Sequence, residues 1–142
     1  MLVKIKRIDN TMPMPEYQTP DSVAFDLYSR EDIKIEPHGR ATAPSNLIIE
    51  VPKGHFLMIA ARSSLSKKGL ILSNGIGIID QDYHGRDDEI GILLYNLSEQ
   101  PVEIKRGERI AQGLILPIET AEWQEVEEIK KDSRGGFGST GN

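Results

Sequence analysis

The sequence predicts an all-β fold, a sandwich, jelly roll or barrel, with one short helix. Three observations carry this expectation. Eight short segments are β-branched or alternate apolar with polar residues. Glycine and proline, 13 and 8 of the 142 residues, interrupt the chain between them. No stretch keeps a helical period beyond about two turns. Many short strands joined at regular turns bury their apolar faces only by closing sheets on one another.

Leu2–Arg7 alternates apolar and basic side chains, which suits a half-buried strand and not a signal peptide. Val23–Tyr28 and Asp32–Ile35 are the next strands, ended by the turn at Pro37-His38-Gly39. Leu47–Val51 runs into Pro52-Lys53-Gly54, and His55–Ala60 resumes beyond it. Ser63–Lys68 is a short polar helix with serine near its start. Residues 74–85 read as an apolar strand, then a turn carrying two acids and an aromatic. Ile90–Asn96 follows His84-Gly85; Val102–Lys105 and Ile110–Leu116 flank Arg106-Gly107. Residues 121–133 are charged and form a last short strand or a linker. Residues 134–142 are glycine-rich, and their composition predicts a flexible tail. One domain over 1–133 and a tail over 134–142 is the organisation expected.

Composition removes several chemistries. There is no cysteine, so disulfides, thiolate zinc sites and cysteine nucleophiles are excluded. The three histidines, His38, His55 and His84, have no ligand spacing. Apolar runs fall far short of a membrane span. A soluble, cytoplasmic protein is expected, with no membrane partner. With 17 basic and 22 acidic residues the net charge is −5, which argues against a nucleic-acid partner. A small anion must then be held by local donors or a cation, against the overall charge.

Five segments could carry chemistry. The tail, Arg134-Gly135-Gly136-Phe137-Gly138-Ser139-Thr140-Gly141, is either a disordered end or cloning remnant, or a phosphate-binding segment. Its glycines let N–H groups converge on phosphate, Arg134 can pair with it, and Ser139 and Thr140 can donate. Phe137 offers a face for a base. Ala61-Arg62-Ser63-Ser64-Leu65 is either an ordinary helix cap or an anion site at a helix start. Gly77-Ile78-Ile79-Asp80-Gln81-Asp82-Tyr83-His84-Gly85 is either a hairpin with polar turn residues or a general base beside a ligand-facing aromatic. Asp80 follows three apolar residues and should be the more buried of the two aspartates. Asp26 in Ala24-Phe25-Asp26-Leu27 and Gln112 in Arg106-Gly107-Glu108-Arg109-Ile110-Ala111-Gln112 lie among apolar neighbours and need partners.

In this order and spacing the five segments resemble the signature motifs of the trimeric dUTPase family, over nearly the whole chain. The resemblance implies a jelly-roll-like subunit, a homotrimer whose active sites are built from all three chains, and hydrolysis of dUTP to dUMP and pyrophosphate. That activity keeps uracil out of DNA and supplies dUMP. It implies Asp80 as the base that activates water against the α-phosphorus, and Tyr83 as the aromatic on the deoxyribose. Asn74, Gly77 and Ile79 would belong to the hairpin that reads uracil, and Arg62, Ser63, Ser64 and Gln112 would meet phosphate. Arg134, Phe137, Gly138, Ser139 and Thr140 would close on base and γ-phosphate. Mg2+ would be held mainly by the substrate phosphates, with Asp26 reaching it through water. A triphosphate brings about four negative charges, and its transfer needs positioning and neutralisation more than covalent help.

Two departures bear on geometry. Phe25 stands where the family usually has glycine, under Asp26. Arg86-Asp87-Asp88-Glu89 lengthens the exit from the third motif. The related dCTP deaminase is set aside, because Ile90–Asn96 has leucine where that enzyme places its glutamate, and Tyr83 replaces its Gly-Phe pair. The reading from another class is a catalytically silent trimer that binds proteins; intact Asp80, Tyr83 and tail argue against it.

Overall fold

The computed structural model describes residues 1–137, so Gly138, Ser139 and Thr140 of the tail lie outside the described residues. Within them the chain is all-β. The strands are β1 (Lys4–Arg7), β2 (Phe25–Tyr28), β3 (Ile33–Ile35), β4 (Arg40–Pro44), β5 (Leu47–Glu50) and β6 (His55–Ala61). After them come β7 (Leu70–Leu72), β8 (Gly77–Ile79), β9 (Gly91–Asn96), β10 (Val102–Ile104) and β11 (Arg109–Pro117). The one helix is a single 3-10 turn, Ser66–Lys68, ended by Gly69 at φ 78°. It is shorter than Ser63–Lys68, and no side chain caps it. Ser63 and Ser64 instead occupy the preceding turn, closed by the Leu65 N–H donating to the Arg62 carbonyl at 3.0 Å.

Four antiparallel sheets form, in the orders β2-β11-β6-β8, β4-β9-β7, β1-β5 and β3-β10. Two strands escaped the sequence reading. β4, Arg-Ala-Thr-Ala-Pro, has only small inward side chains; β7 is three residues long. Alternation places one side of each sheet inward. Leu27, Ile35, Leu47, Leu57, Leu94 and Ile110 meet there with their neighbours in one core. The charged segment 121–133 forms no strand, which leaves the linker reading. Trp123 and Ile129, in the run after β11, are 94% and 76% exposed. So the single chain buries almost none of the few apolar side chains on this charged arm. No helix among the described residues is long and apolar enough to cross a membrane.

The lengthened segment after the third motif is held by one buried turn. Asn46, between β4 and β5, has φ 73° and is 1% exposed. Its amide donates to the Asp9 carbonyl at 3.0 Å and accepts from the Asp9 N–H at 2.6 Å. Its own N–H donates to the Glu89 carboxylate at 2.8 Å. The Glu89 carboxylate also takes Nε and Nη2 of Arg30, both at 2.8 Å, a two-pronged pair.

Candidate active site

The four-stranded sheet builds the first cluster. Register sets Asp26 of β2 beside Gln112 of β11, and Gln112 beside Ala60 of β6. Arg62 leaves the end of β6 directly above them. The buried Asp26 carboxylate takes Nε of Arg62 at 2.8 Å on one oxygen and Nη1 of Arg109 at 3.2 Å on the other. Gln112 donates to the Ala61 carbonyl at 2.9 Å. Two guanidinium groups are thus held side by side by one carboxylate, with Ser63 and Ser64 exposed next to them. An arginine pair with adjacent hydroxyls has the donors that a phosphate needs. Arg109 lay inside a quoted motif but was not singled out, because only cross-strand register brings it to Asp26. Beneath, the Lys68–Glu108 ion pair ties the helical turn to the β10–β11 turn. Burial alone would raise the Glu108 carboxyl, but the Lys68 hydrogen bond and the Lys105 N–H outweigh it and hold it low.

Phe25 fits without disturbing this cluster. Its partner across the sheet is Gly113, where a Cβ would lie 2.6 Å from the ring. The ring occupies the space a side chain there would take, and Tyr17 closes on it edge-on at 5.8 Å.

The second cluster is a cavity of about 370 Å3 between the segment that links β7 to β8 and the outer face of β4 and β9. That volume is in the range of small-molecule sites. Asn74, Gly77, Ile79 and Tyr83 line it, as do Thr42 and Gly91, which sequence reasoning missed. Glycine at 77 lets β8 sit against β6, since a Cβ would lie 3.0 Å from Ile59. Gly91 keeps the wall open beside Thr42. Asp80 begins the turn just after β8, with the Tyr83 N–H donating to its carbonyl at 3.3 Å. Asp80 and Asp82 are both exposed in the single chain, so the expected difference in burial is absent. The cause is position: Asp80 has already left the sheet. Tyr83 turns its hydroxyl to the Glu89 carbonyl at 3.3 Å.

The two clusters do not meet. Ile79 pairs with Leu57, which sets Asp80 level with Phe56. Arg62 lies six residues farther along the same strand, ~20 Å at ~3.3 Å per residue. Arg134 and Phe137 reach neither, being exposed at the end of the arm. No three His, Asp or Glu side chains among the described residues gather into a metal-holding group.

A family model described as dUTPase matches residues 10–141, almost the whole chain. The chain belongs to the dUTPase family. A dUTPase-family relative from Nautilia profundicola, deoxyuridine 5'-triphosphate nucleotidohydrolase, is 44% identical over 99% of each chain. The protein of that name from Arabidopsis thaliana is 40% identical over 97% of this chain and 82% of its own. Among solved structures, the Staphylococcus bacteriophage 80alpha dUTPase with dUpNHpp superposes with a TM-score of 0.88. It is 28% identical and covers 99% of each chain. The fold is therefore the jelly-roll-like fold of the dUTPases, with both departures at Phe25 and Arg86–Glu89 accommodated inside it.

Proposed function

We propose that the chain is a dUTP diphosphatase that cleaves dUTP to dUMP and pyrophosphate in a site shared between subunits of a homotrimer. The observation that carries the reading is the separation of the two clusters. An arginine cluster stands past one end of β6 and Asp80 lies level with the other, while the nucleoside-sized cavity meets β6 at Ile59. A base must come within hydrogen-bond reach of the attacking water. One chain holding Arg62 and Asp80 ~20 Å apart cannot do this for one phosphate chain. A second copy supplying Asp80 to the first copy's Arg62 can. The exposed arm with Trp123 and Ile129 fits the same arrangement, since it needs a neighbour to cover it.

In this reading the hairpin at Asn74, Gly77 and Ile79 takes the uracil edge with backbone groups. The Tyr83 ring lies along the sugar and leaves no room for a 2′-hydroxyl. Arg62, Arg109, Ser63, Ser64 and Gln112 neutralise and orient the phosphates. Asp80 takes a proton from water as its oxygen attacks the α-phosphorus, and pyrophosphate leaves. Arg134, Phe137, Gly138, Ser139 and Thr140 close over base and γ-phosphate. The described residues offer no cage of acidic ligands, which suits Mg2+ carried in by the triphosphate. Bound that way, the ion would offset phosphate charge, with Asp26 near its waters. A nucleotide substrate suits a cytoplasmic enzyme.

The test is pyrophosphate release from dUTP, dTTP, dCTP and UTP, with Mg2+ and with EDTA. Metal-dependent release from dUTP alone is expected. Asp80→Asn should bind dUTP and lose turnover, because an amide cannot take the proton. Retained turnover would move the base elsewhere, to Asp82 first. Silence toward all four nucleotides would leave a protein-binding trimer.

A further inference from the structure

The lengthened segment after the third motif ends in Glu89, and the contacts of Glu89 join two parts of the molecule. Its carboxylate is gripped by Nε and Nη2 of Arg30, from the β2–β3 turn, at 2.8 Å each. It also accepts the Asn46 N–H at 2.8 Å. Both side chains are largely sheltered, 25% and 18% exposed. A two-pronged, sheltered pair fixes direction as well as distance. The carbonyl of the same residue is the acceptor for the Tyr83 hydroxyl at 3.3 Å. One residue onward the chain enters the sheet: Ile90 donates to the Leu47 carbonyl and accepts from Ser45.

Tyr83 itself stands on a loop. The turn from Asp80 to Gly85 is exposed, and its ring is 40% exposed. Elsewhere in that turn the His84 N–H donates to the Asp82 carbonyl at 3.1 Å and the Gln81 side chain accepts from the Gly54 N–H at 3.3 Å; neither bond holds the Tyr83 ring. The one hydrogen bond that ties the ring's far end to the sheet is the one to Glu89. The side-chain clamp and the hydroxyl hook therefore act in series, from Arg30 through Glu89 to Tyr83.

We infer that the Arg30–Glu89 pair is a positioning device that holds the Tyr83 ring at the pocket wall and thereby sets the preference for deoxyribose over ribose. This rests on the reading of the cavity as the nucleoside site. Arg30 and Glu89 touch no substrate in this scheme; they act through Tyr83. When the clamp is loosened, the ring gains room to move outward and a 2′-hydroxyl gains space. Activity toward UTP then rises relative to dUTP.

The experiment compares kcat/KM for dUTP and UTP in the wild type, Glu89→Gln, Arg30→Lys, Tyr83→Phe and the Tyr83→Phe/Glu89→Gln pair. The wild-type result tests the dUTP reading by itself. For the inference, Glu89→Gln is expected to lower the dUTP/UTP ratio about tenfold, a wall displaced by a fraction of an ångström being enough. Arg30→Lys keeps the charge but loses the fork, and should give an intermediate loss. Tyr83→Phe should lower the ratio too, and the pair should lose no more than the larger single loss, because the groups act in series. A parallel fall for both nucleotides, with the ratio unchanged, would overturn the inference and leave a structural ion pair. So would additive losses in the pair. Arg30→Lys keeps the test alive if Glu89→Gln does not fold.

Discussion

At the scale of single residues, Phe25 and Gly113 are one feature. The phenyl ring fills the place of a side chain one ladder step from Asp26 and Gln112, and glycine makes it possible. Gly113→Ala puts a methyl 2.6 Å from the ring, with the Leu57 side chain 3.2 Å away. The expected cost is about 1–3 kcal/mol, as for other overpacked cores. Thermal unfolding checks it, and Phe25→Leu in the same chain should recover much of the loss. An unchanged melting temperature for Gly113→Ala would mean that the ring moves aside freely. Asn96 shows the opposite economy of a buried polar group. Its amide donates to the carbonyls of Ile35, Glu36 and Gln100 and accepts from Ser98, so nothing is left unpaired.

At the scale of elements, the Arg30–Glu89 pair links the β2–β3 turn to the entry of β9, and this makes acid stability depend on it. Burial alone would raise the Glu89 carboxyl; the hydrogen bonds from Arg30 and Asn46 outweigh it and hold it below its ordinary 4.5. A lowered folded-state value contributes stability above the unfolded value and loses it as pH falls through the folded one. The stability gap between wild type and Glu89→Gln should therefore be full at neutral pH and close as pH drops below about 4.5. Chemical unfolding at several pH values reads this, and a gap that stays constant would refute it. The elements also mark what the sequence could reveal. Alternation announced β1, β6 and β11, because long stretches with one buried face repeat every second residue. β4 was hidden, since Ala41 and Ala43 bury little and carry almost no apolar signal. The helix at Ser63–Lys68 shrank to one turn because Ser63 and Ser64 are used in a turn instead of a cap. Of the proposed site, Asp80, Tyr83, Arg62 and Gln112 stand in the segments that resemble the family motifs. Arg109, Thr42 and Gly91 were not singled out, because only pairing across strands brings them to the site.

At the scale of the whole molecule, β6 keeps Arg62 and Asp80 apart, and the arm after Pro117 is exposed, which fits the shared site proposed above. Each copy would give its arginines to one reaction and its aspartate to another. Two inactive proteins should then repair each other. Arg62→Ala spoils only the phosphate half, and Asp80→Asn only the hydrolytic half. Refolded together in equal amounts, most assemblies contain both chains. In any mixed ring of three, one junction joins an intact Arg62 to an intact Asp80. About a quarter of wild-type turnover should return, from two preparations that have almost none alone. The strand that keeps the halves apart would thus make genetic complementation within one gene a property of the enzyme.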